Sequence, residues 1–216
     1  MKIIGHRGAR GLAPENTLIA LQKALDHNVD EIEFDLRVTK DKAVVLHHNR
    51  RVTSRSGQKL WIAKNKLATL KAHKPDLATL EEALAALPKT AKLYIEVKPR
   101  VDIRPIVKIL KNDAHSFHLA SKNQATLTSL HRSLPDRPTI VIHAWSGLIA
   151  AHRARRLQTK RVAMNQRWLW DGFISRFSKS GYQLSAYTLN DPKKAARWAD
   201  KGLYGVVTDR PDLFGK

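Results

Sequence analysis

Apolar positions along the chain recur in two alternating periods, and each change of period marks a change of element. Lys2 to Gly5 is a short apolar stretch suited to a strand. Pro14-Glu15-Asn16-Thr17 then introduces Leu18, Leu21 and Leu25, whose i, i+3, i+7 spacing draws one stripe along a helix. From Glu31 to Leu36 the period drops to two, with Ile32, Phe34 and Leu36 on one face and Glu31, Glu33 and Asp35 on the other. Val44 to Leu46 is a further extended piece. Thr79-Leu80-Glu81-Glu82 supplies an N-cap and an acidic first turn for a helix that runs to Pro88. Leu93, Ile95 and Val97 again alternate, here with Tyr94, Glu96 and Lys98.

The same alternation continues to the C-terminus. Strands are predicted at Phe117 to Ala120, Thr139 to Ile142, Val162 to Asn165, Leu184 to Thr188 and Gly205 to Thr208. Helices are predicted between them, at Ile103 to Leu110, Gln124 to Leu134, Leu148 to Leu157, Gly172 to Ser178 and Pro192 to Lys201. About eight strand-helix units in 216 residues predict an α/β chain closed into a (β/α)8 barrel, near the lower end of its usual length. An open doubly wound sheet is the alternative. One domain over residues 1–216 is expected, since the length suits a single core.

A parallel barrel strand shows one face to the helices and the other to the lumen. Ile32, Phe34 and Leu36 must therefore face the helices, which turns Glu33 and Asp35 inward. Glu96 and Lys98 follow suit near the C-terminal mouth, where buried charge is costly unless paired or bound to a metal. Glu33, Asp35 and Glu96 are oxygen ligands for a hard divalent cation such as Mg2+ or Ca2+. His6 ends the first strand and His47-His48 follows the extended piece, so imidazoles able to move protons near neutral pH are expected beside that cation.

Composition narrows the chemistry. The chain has no cysteine, which excludes a disulfide framework, a thiolate metal site and a cysteine nucleophile. No Walker A loop, His-Glu-x-x-His or Gly-x-Ser-x-Gly occurs, and Gly5-His6-Arg7-Gly8 breaks the dinucleotide pattern. No apolar stretch reaches the roughly 18 residues of a membrane span, and no signal peptide precedes the first strand, so a cytoplasmic location is expected. Lys and Arg total 39 against 19 Asp and Glu, a net charge of +20 that favours anionic partners. Lys42 to Lys74 holds nine Lys or Arg and no acid, and Arg137 to Trp170 holds seven and no acid. Both runs are expected to be solvated cationic surface, with weak association to anionic membrane or nucleic acid.

The chain resembles the glycerophosphodiester phosphodiesterases. The resemblance runs through Gly5-His6-Arg7-Gly8, Pro14-Glu15-Asn16-Thr17, Glu33-Phe34-Asp35-Leu36 with Thr39-Lys40-Asp41, and Val44-Val45-Leu46-His47-His48. It continues through Thr79-Leu80-Glu81-Glu82, Ile95-Glu96-Val97-Lys98, Tyr187-Thr188-Leu189-Asn190-Asp191 and Gly205-Val206-Val207-Thr208-Asp209. It implies a TIM-barrel hydrolase that splits a small-molecule glycerophosphodiester into sn-glycerol 3-phosphate and an alcohol with the help of a divalent metal. His6 and His48 look like its acid-base pair, Glu33, Asp35 and Glu96 like its metal ligands, and Arg7, Lys98 and Tyr187 like substrate-binding residues.

This chain departs from the family pattern in two places. Asn49 stands where the family usually has Asp after the histidine, which weakens any role in orienting His48, and Tyr187 stands where Trp is common. Residues 49–78 correspond to the family's variable insertion, here short, so a small cap over the mouth is expected. His47 rivals His48 as the second histidine. A lysophospholipase D-like enzyme is a related reading, with Trp61, Trp168, Trp170 and Phe173 as candidates for an acyl groove. A non-catalytic nucleic-acid or anionic-membrane binding protein on the same barrel is the reading from another class.

Overall fold

The computed structural model describes residues 1–54 and 56–215. Arg55, which belongs to the basic stretch and the 49–78 segment, and Lys216 lie outside the described residues. The first half holds β1 (Lys2–Gly5), α1 (Leu18–Asp26), β2 (Glu31–Val38), β3 (Val44–Leu46), β4 (Arg51–Thr53), β5 (Lys59–Trp61), α2 (Leu67–His73), α3 (Leu80–Ala86) and β6 (Lys92–Val97). The second half alternates strictly: α4 (Arg104–Leu110), β7 (Ser116–Ser121), α5 (Gln124–Ser133), β8 (Thr139–His143), α6 (Gly147–Arg156), β9 (Arg161–Asn165), α7 (Asp171–Lys179), β10 (Gln183–Tyr187), α8 (Pro192–Ala199) and β11 (Gly205–Thr208).

Among the described residues, β1, β2 and β6 to β11 pair in parallel, and β1 closes the ring by pairing with both β11 and β2. Closure excludes the open doubly wound sheet. A short 3-10 turn, Pro211–Phe214, stands where a helix would follow β11. No helix among the described residues is long and apolar enough to cross a membrane.

The alternation on β2 decides its register. Ile32, Phe34 and Leu36 are buried against Leu21 and Ala24 of α1 and Leu80 of α3. Burying a side chain of that size is worth about 1.5–3 kcal/mol, and a slip by one residue would send Glu33 and Asp35 among the helices instead. Thr17 caps α1 by accepting from the Ala20 amide, and Thr79 and Glu82 form a reciprocal capping box at the start of α3.

Val44 to Leu46 is not a barrel strand. As β3 it runs antiparallel to the end of β2, with Leu36 opposite Leu46 and Val38 opposite Val44. This return delivers His47 and His48 to the mouth, where the His47 amide donates to the Asp35 carbonyl at 2.9 Å. The 49–78 segment forms the β4-β5 hairpin, a 3-10 turn at Ile62–Lys64 and α2. Val45, Val52, Ile62, Leu70 and Leu77 give it a small apolar nucleus.

The lumen is layered. Ile4, Tyr94, Ala120, Ile140, Ile142, Ala163 and Val207 fill its middle. Glu31 lies on the floor, with Arg161 Nη1 at 2.9 Å from its Oε1 and His118 Nδ1 at 3.6 Å from its Oε2. Burial, with Arg161 and Lys92 nearby, lowers the His118 imidazole to about 4.

The basic run from Arg137 to Trp170 is not all solvated surface. Arg161 is taken up by the floor. Arg153 is buried and donates through Nε to Gln124 Oε1 at 2.7 Å, Nη1 to the Ile142 carbonyl at 3.0 Å and Nη2 to the Ser121 carbonyl at 3.3 Å. It ties α6 to the ends of β7 and β8, whereas Arg155 and Arg156 are exposed. Losing buried, charge-assisted hydrogen bonds costs about 1.5–3 kcal/mol, so Arg153→Gln should lower unfolding free energy by that order. Arg155→Gln and Arg156→Gln should stay within about 0.5 kcal/mol of the parent in the same denaturant titration.

Candidate active site

The barrel strands end together at the mouth, and the loops leaving them build a polar cavity of about 220 Å³. His6, Arg7, Glu33, His48, Glu96 and Tyr187 line it, joined by Arg10, Lys122, Asn165 and Thr188. Glu33 and Asp35 come from β2, Glu96 from β6, and Lys98 directly follows β6.

Ligand oxygens of Glu33, Asp35 and Glu96 lie within 4.8 Å of one another, and all three residues are buried. Burial pushes the Glu33 carboxyl well above its usual range, and the charges of Asp35 and Glu96 push the same way. Burial also works to raise Asp35, but Lys98 and Arg7 outweigh it and hold that carboxyl below its ordinary value. Lys98 Nζ sits 2.5 Å from Asp35 Oδ1 and 2.7 Å from Glu96 Oε1. Three oxygen donors without a competing sulfur or imidazole form a set that fits a hard divalent cation, whose charge would relieve their repulsion.

The turn after β1 holds this cluster from one side. Arg7 adopts φ 52°, and its amide donates to Glu33 Oε2 at 2.7 Å. Gly8 follows at φ 80°, where a Cβ would lie 2.4 Å from the Ala20 carbonyl carbon, so only glycine fits against α1. The Arg7 side chain, 12% exposed, donates to Glu15 Oε2 at 2.7 Å and places Nε 3.4 Å from Asp35 Oδ2. Asn16 clasps Asp35 twice, donating Nδ2 to Oδ2 at 2.9 Å and accepting the Asp35 amide at 3.0 Å.

The two histidines have different partners. His6 Nδ1 lies 2.6 Å from Asp209 Oδ1. Burial tends to raise Asp209, but its hydrogen bond to His6 and the charges of His6 and Arg10 lower it overall. Asn190 secures Asp209 by donating Nδ2 to Oδ2 at 3.3 Å and accepting the Asp209 amide at 2.9 Å. His48 Nδ1 instead meets the neutral Asn49 Oδ1 at 3.0 Å. Burial lowers His48 to about 4, aided by Lys98 and Arg7 and opposed by Asp35. Arg37 fixes its backbone, donating Nε and Nη2 to the His48 carbonyl at 3.0 and 2.7 Å. His47 is absent from the cavity wall, and its Nδ1 lies 2.9 Å from the Asn49 carbonyl oxygen.

All eight residues singled out in the sequence therefore meet at this mouth. Lys98, 3% exposed, belongs to the carboxylate layer beneath the cavity. Tyr187 forms one wall; burial and Glu96 push its phenol up to about 12, and Lys122 Nζ lies 5.4 Å from its ring centroid. Asn16, Asp209, Asn190, Arg37 and Lys122 were not singled out. Asn16, Asn190 and Asp209 do stand inside the motifs that carried the resemblance, so their positions offered a signal without a role. Of the acyl-groove candidates none lines the cavity, and Trp61 is stacked beneath the Arg51 guanidinium at 4.1 Å.

If Asp209 orients His6, Asp209→Asn should lower kcat by a larger factor than KM changes. Retention of at least part of the His6 alignment by the amide predicts a smaller loss than in His6→Ala, which would lose about 10²- to 10⁴-fold were that ring a general acid or base. Steady-state kinetics on a soluble diester measures both.

Residues 6–213 match the model of the Glycerophosphoryl diester phosphodiesterase family. A glycerophosphodiester phosphodiesterase of Bacillus subtilis is 26% identical over 99% of this chain and 85% of that protein. The human protein named Lysophospholipase D GDPD1 is 25% identical over 97% of this chain and 83% of its own length. An Oleispira antarctica phosphodiesterase, solved with the product sn-glycerol-3-phosphate, superposes with a TM-score of 0.86 at 24% identity, covering 98% of this chain and 94% of that one.

Proposed function

Since the chain belongs to the glycerophosphoryl diester phosphodiesterase family, we propose that this cavity hydrolyses a glycerophosphodiester to sn-glycerol 3-phosphate and an alcohol. One observation carries the reading: His6, His48, Glu33 and Glu96 line a single cavity, and Asp35 clusters with the two glutamates at its base.

Glu33, Asp35 and Glu96 would hold the divalent cation, Mg2+ or Ca2+. When bound, that cation neutralises phosphate charge as a Lewis acid. Arg7 presents a fixed positive charge to the phosphoryl oxygens, whose negative charge grows in the transition state. Lys98 balances the carboxylates beneath, and Tyr187 forms one wall. His48, kept neutral by burial and nearby cations, would accept a proton from the water whose oxygen forms the new bond to phosphorus. His6, with Asp209 fixing its ring, gives a proton to the leaving alkoxide as the phosphorus-oxygen bond breaks.

A small alcohol is favoured over a lysophospholipid bound whole. At about 220 Å³ the cavity is below the roughly 300–1,000 Å³ typical of drug-sized ligand sites, so an acyl chain would lie outside it. A non-catalytic polyanion binder is disfavoured by the same carboxylates, because without a cation three buried acids repel phosphate.

Turnover of glycerophosphocholine, glycerophosphoethanolamine, a lysophospholipid and bis(p-nitrophenyl) phosphate with Mg2+, Ca2+, Mn2+ or EDTA tests the reading. EDTA should abolish most turnover, and Glu96→Ala should lose most activity while keeping its circular dichroism; full activity of that variant under chelation would refute the metal assignment. His48→Ala should lose about 10²- to 10⁴-fold and His47→Ala much less. A larger loss at His47 would reverse the choice between them.

A further inference from the structure

Large apolar side chains are left exposed on one sector of the mouth. Trp145 is 59% exposed, Leu148 87%, Trp168 55% and Trp170 63%, and Ile149 is also exposed. They occupy the loops after β8 and β9 and the first turn of α6, and these two strands are neighbours, with His143 opposite Met164. Ile142, one residue before the end of β8, and Asn165, which ends β9, line the catalytic cavity, so the apolar sector begins at its rim.

Ring contacts link the two loops of this sector. Trp145 packs on the His143 ring at a centroid distance of 5.4 Å, and Trp170 packs on Phe173 at 5.3 Å. Phe173 in turn fills the space beside Gly147, where a Cβ would lie 2.5 Å from its ring, which joins the two loops. Contiguous exposed apolar surface of this kind marks an interaction site, and tryptophan is the side chain suited to a boundary between water and hydrocarbon.

We propose that this aromatic rim docks the barrel mouth onto an anionic phospholipid surface. Charge favours that occupant. The loops after β7, β8 and β9, from Lys122 to Asn123, Ala144 to Ser146 and Gln166 to Trp170, contain no Asp or Glu. Arg167 and Lys122 stand there exposed, and neither forms an ion pair among the described residues. Aromatic and aliphatic side chains beside cations that no carboxylate neutralises are the combination that inserts shallowly beneath anionic headgroups. A second copy of the chain is a poorer occupant, because two molecules of +20 charge repel. Docked in this way, the cavity faces the headgroup layer. The inference concerns binding and does not depend on the catalytic reading.

The test is co-sedimentation of the full chain with phosphatidylcholine-phosphatidylglycerol vesicles and with phosphatidylcholine alone, with tryptophan quenching by brominated acyl chains as a depth probe. The parent should bind the anionic vesicles and be quenched. The triple variant Trp145→Ser, Leu148→Ser, Trp168→Ser should bind them roughly tenfold or more weakly, with unchanged circular dichroism and unchanged hydrolysis of soluble glycerophosphocholine. Arg155→Gln with Arg156→Gln, exposed but away from the rim, should weaken binding less. Loss of hydrolysis in the parent would refute the catalytic reading and leave the docking result intact. Three outcomes would overturn the docking proposal: no vesicle binding, binding that the triple variant leaves unchanged, or a parent dimer that the triple variant converts to monomer.

Discussion

Mutual repulsion among three buried carboxylates is the constraint around which the mouth is organised. Glu33, Asp35 and Glu96 bring ligand oxygens within 4.8 Å of one another in a space from which water is largely excluded. Like charges at such distances are tolerated only with compensation. Lys98 bridges two of the three, the Arg7 side chain approaches Asp35, the Arg7 amide serves Glu33, and Asn16 clasps Asp35 through both ends of its amide. The sharp turn at Arg7 and Gly8 exists to make those approaches. The residual imbalance, visible in the raised Glu33 carboxyl, is what a divalent cation would correct.

The histidines line the same cavity under different electrostatic conditions. One ring is paired with a carboxylate that Asn190 holds from a neighbouring loop, the other with the uncharged Asn49. The substitution of an amide for the usual acid beside His48 keeps the hydrogen bond and removes the charge. Burial then governs His48, which stays neutral and able to accept a proton. Two groups of one type are thus given different electrostatic surroundings.

The cationic excess divides into parts with separate roles. Arg153 and Arg161 are internal fasteners, donating to strand-end carbonyls and to Glu31. Arg137 lies over Phe117 at 4.2 Å and donates to the Asp113 and His115 carbonyls. Arg167, next to exposed Trp168, and Lys122, over the Tyr187 ring, remain at the mouth. A net charge of +20 therefore says little about surface until burial has been assigned residue by residue.

Period alone determined much of this protein. The strict alternation of Ile32, Phe34 and Leu36 with Glu33 and Asp35 committed those acids to the lumen, because burying three apolar side chains outweighs any other register. The same logic turned Glu96 inward. Local rules also sufficed for the Thr79 capping box. What depended on tertiary structure were relations between loops far apart in the chain. Asp209 reaches His6 across 203 positions, and Arg161 reaches Glu31 across 130. Val44 to Leu46 read as a further extended piece, and it is the tertiary fold that turns it antiparallel against β2 and sets His48, not its rival His47, on the cavity wall. Arg153 read as surface because its neighbours in sequence are basic; the helix turned it inward, where strand-end carbonyls needed donors. Hydrophobic patterning is a local property that burial enforces everywhere, whereas a polar partner is decided only once the barrel closes and brings distant loop ends within hydrogen-bonding range.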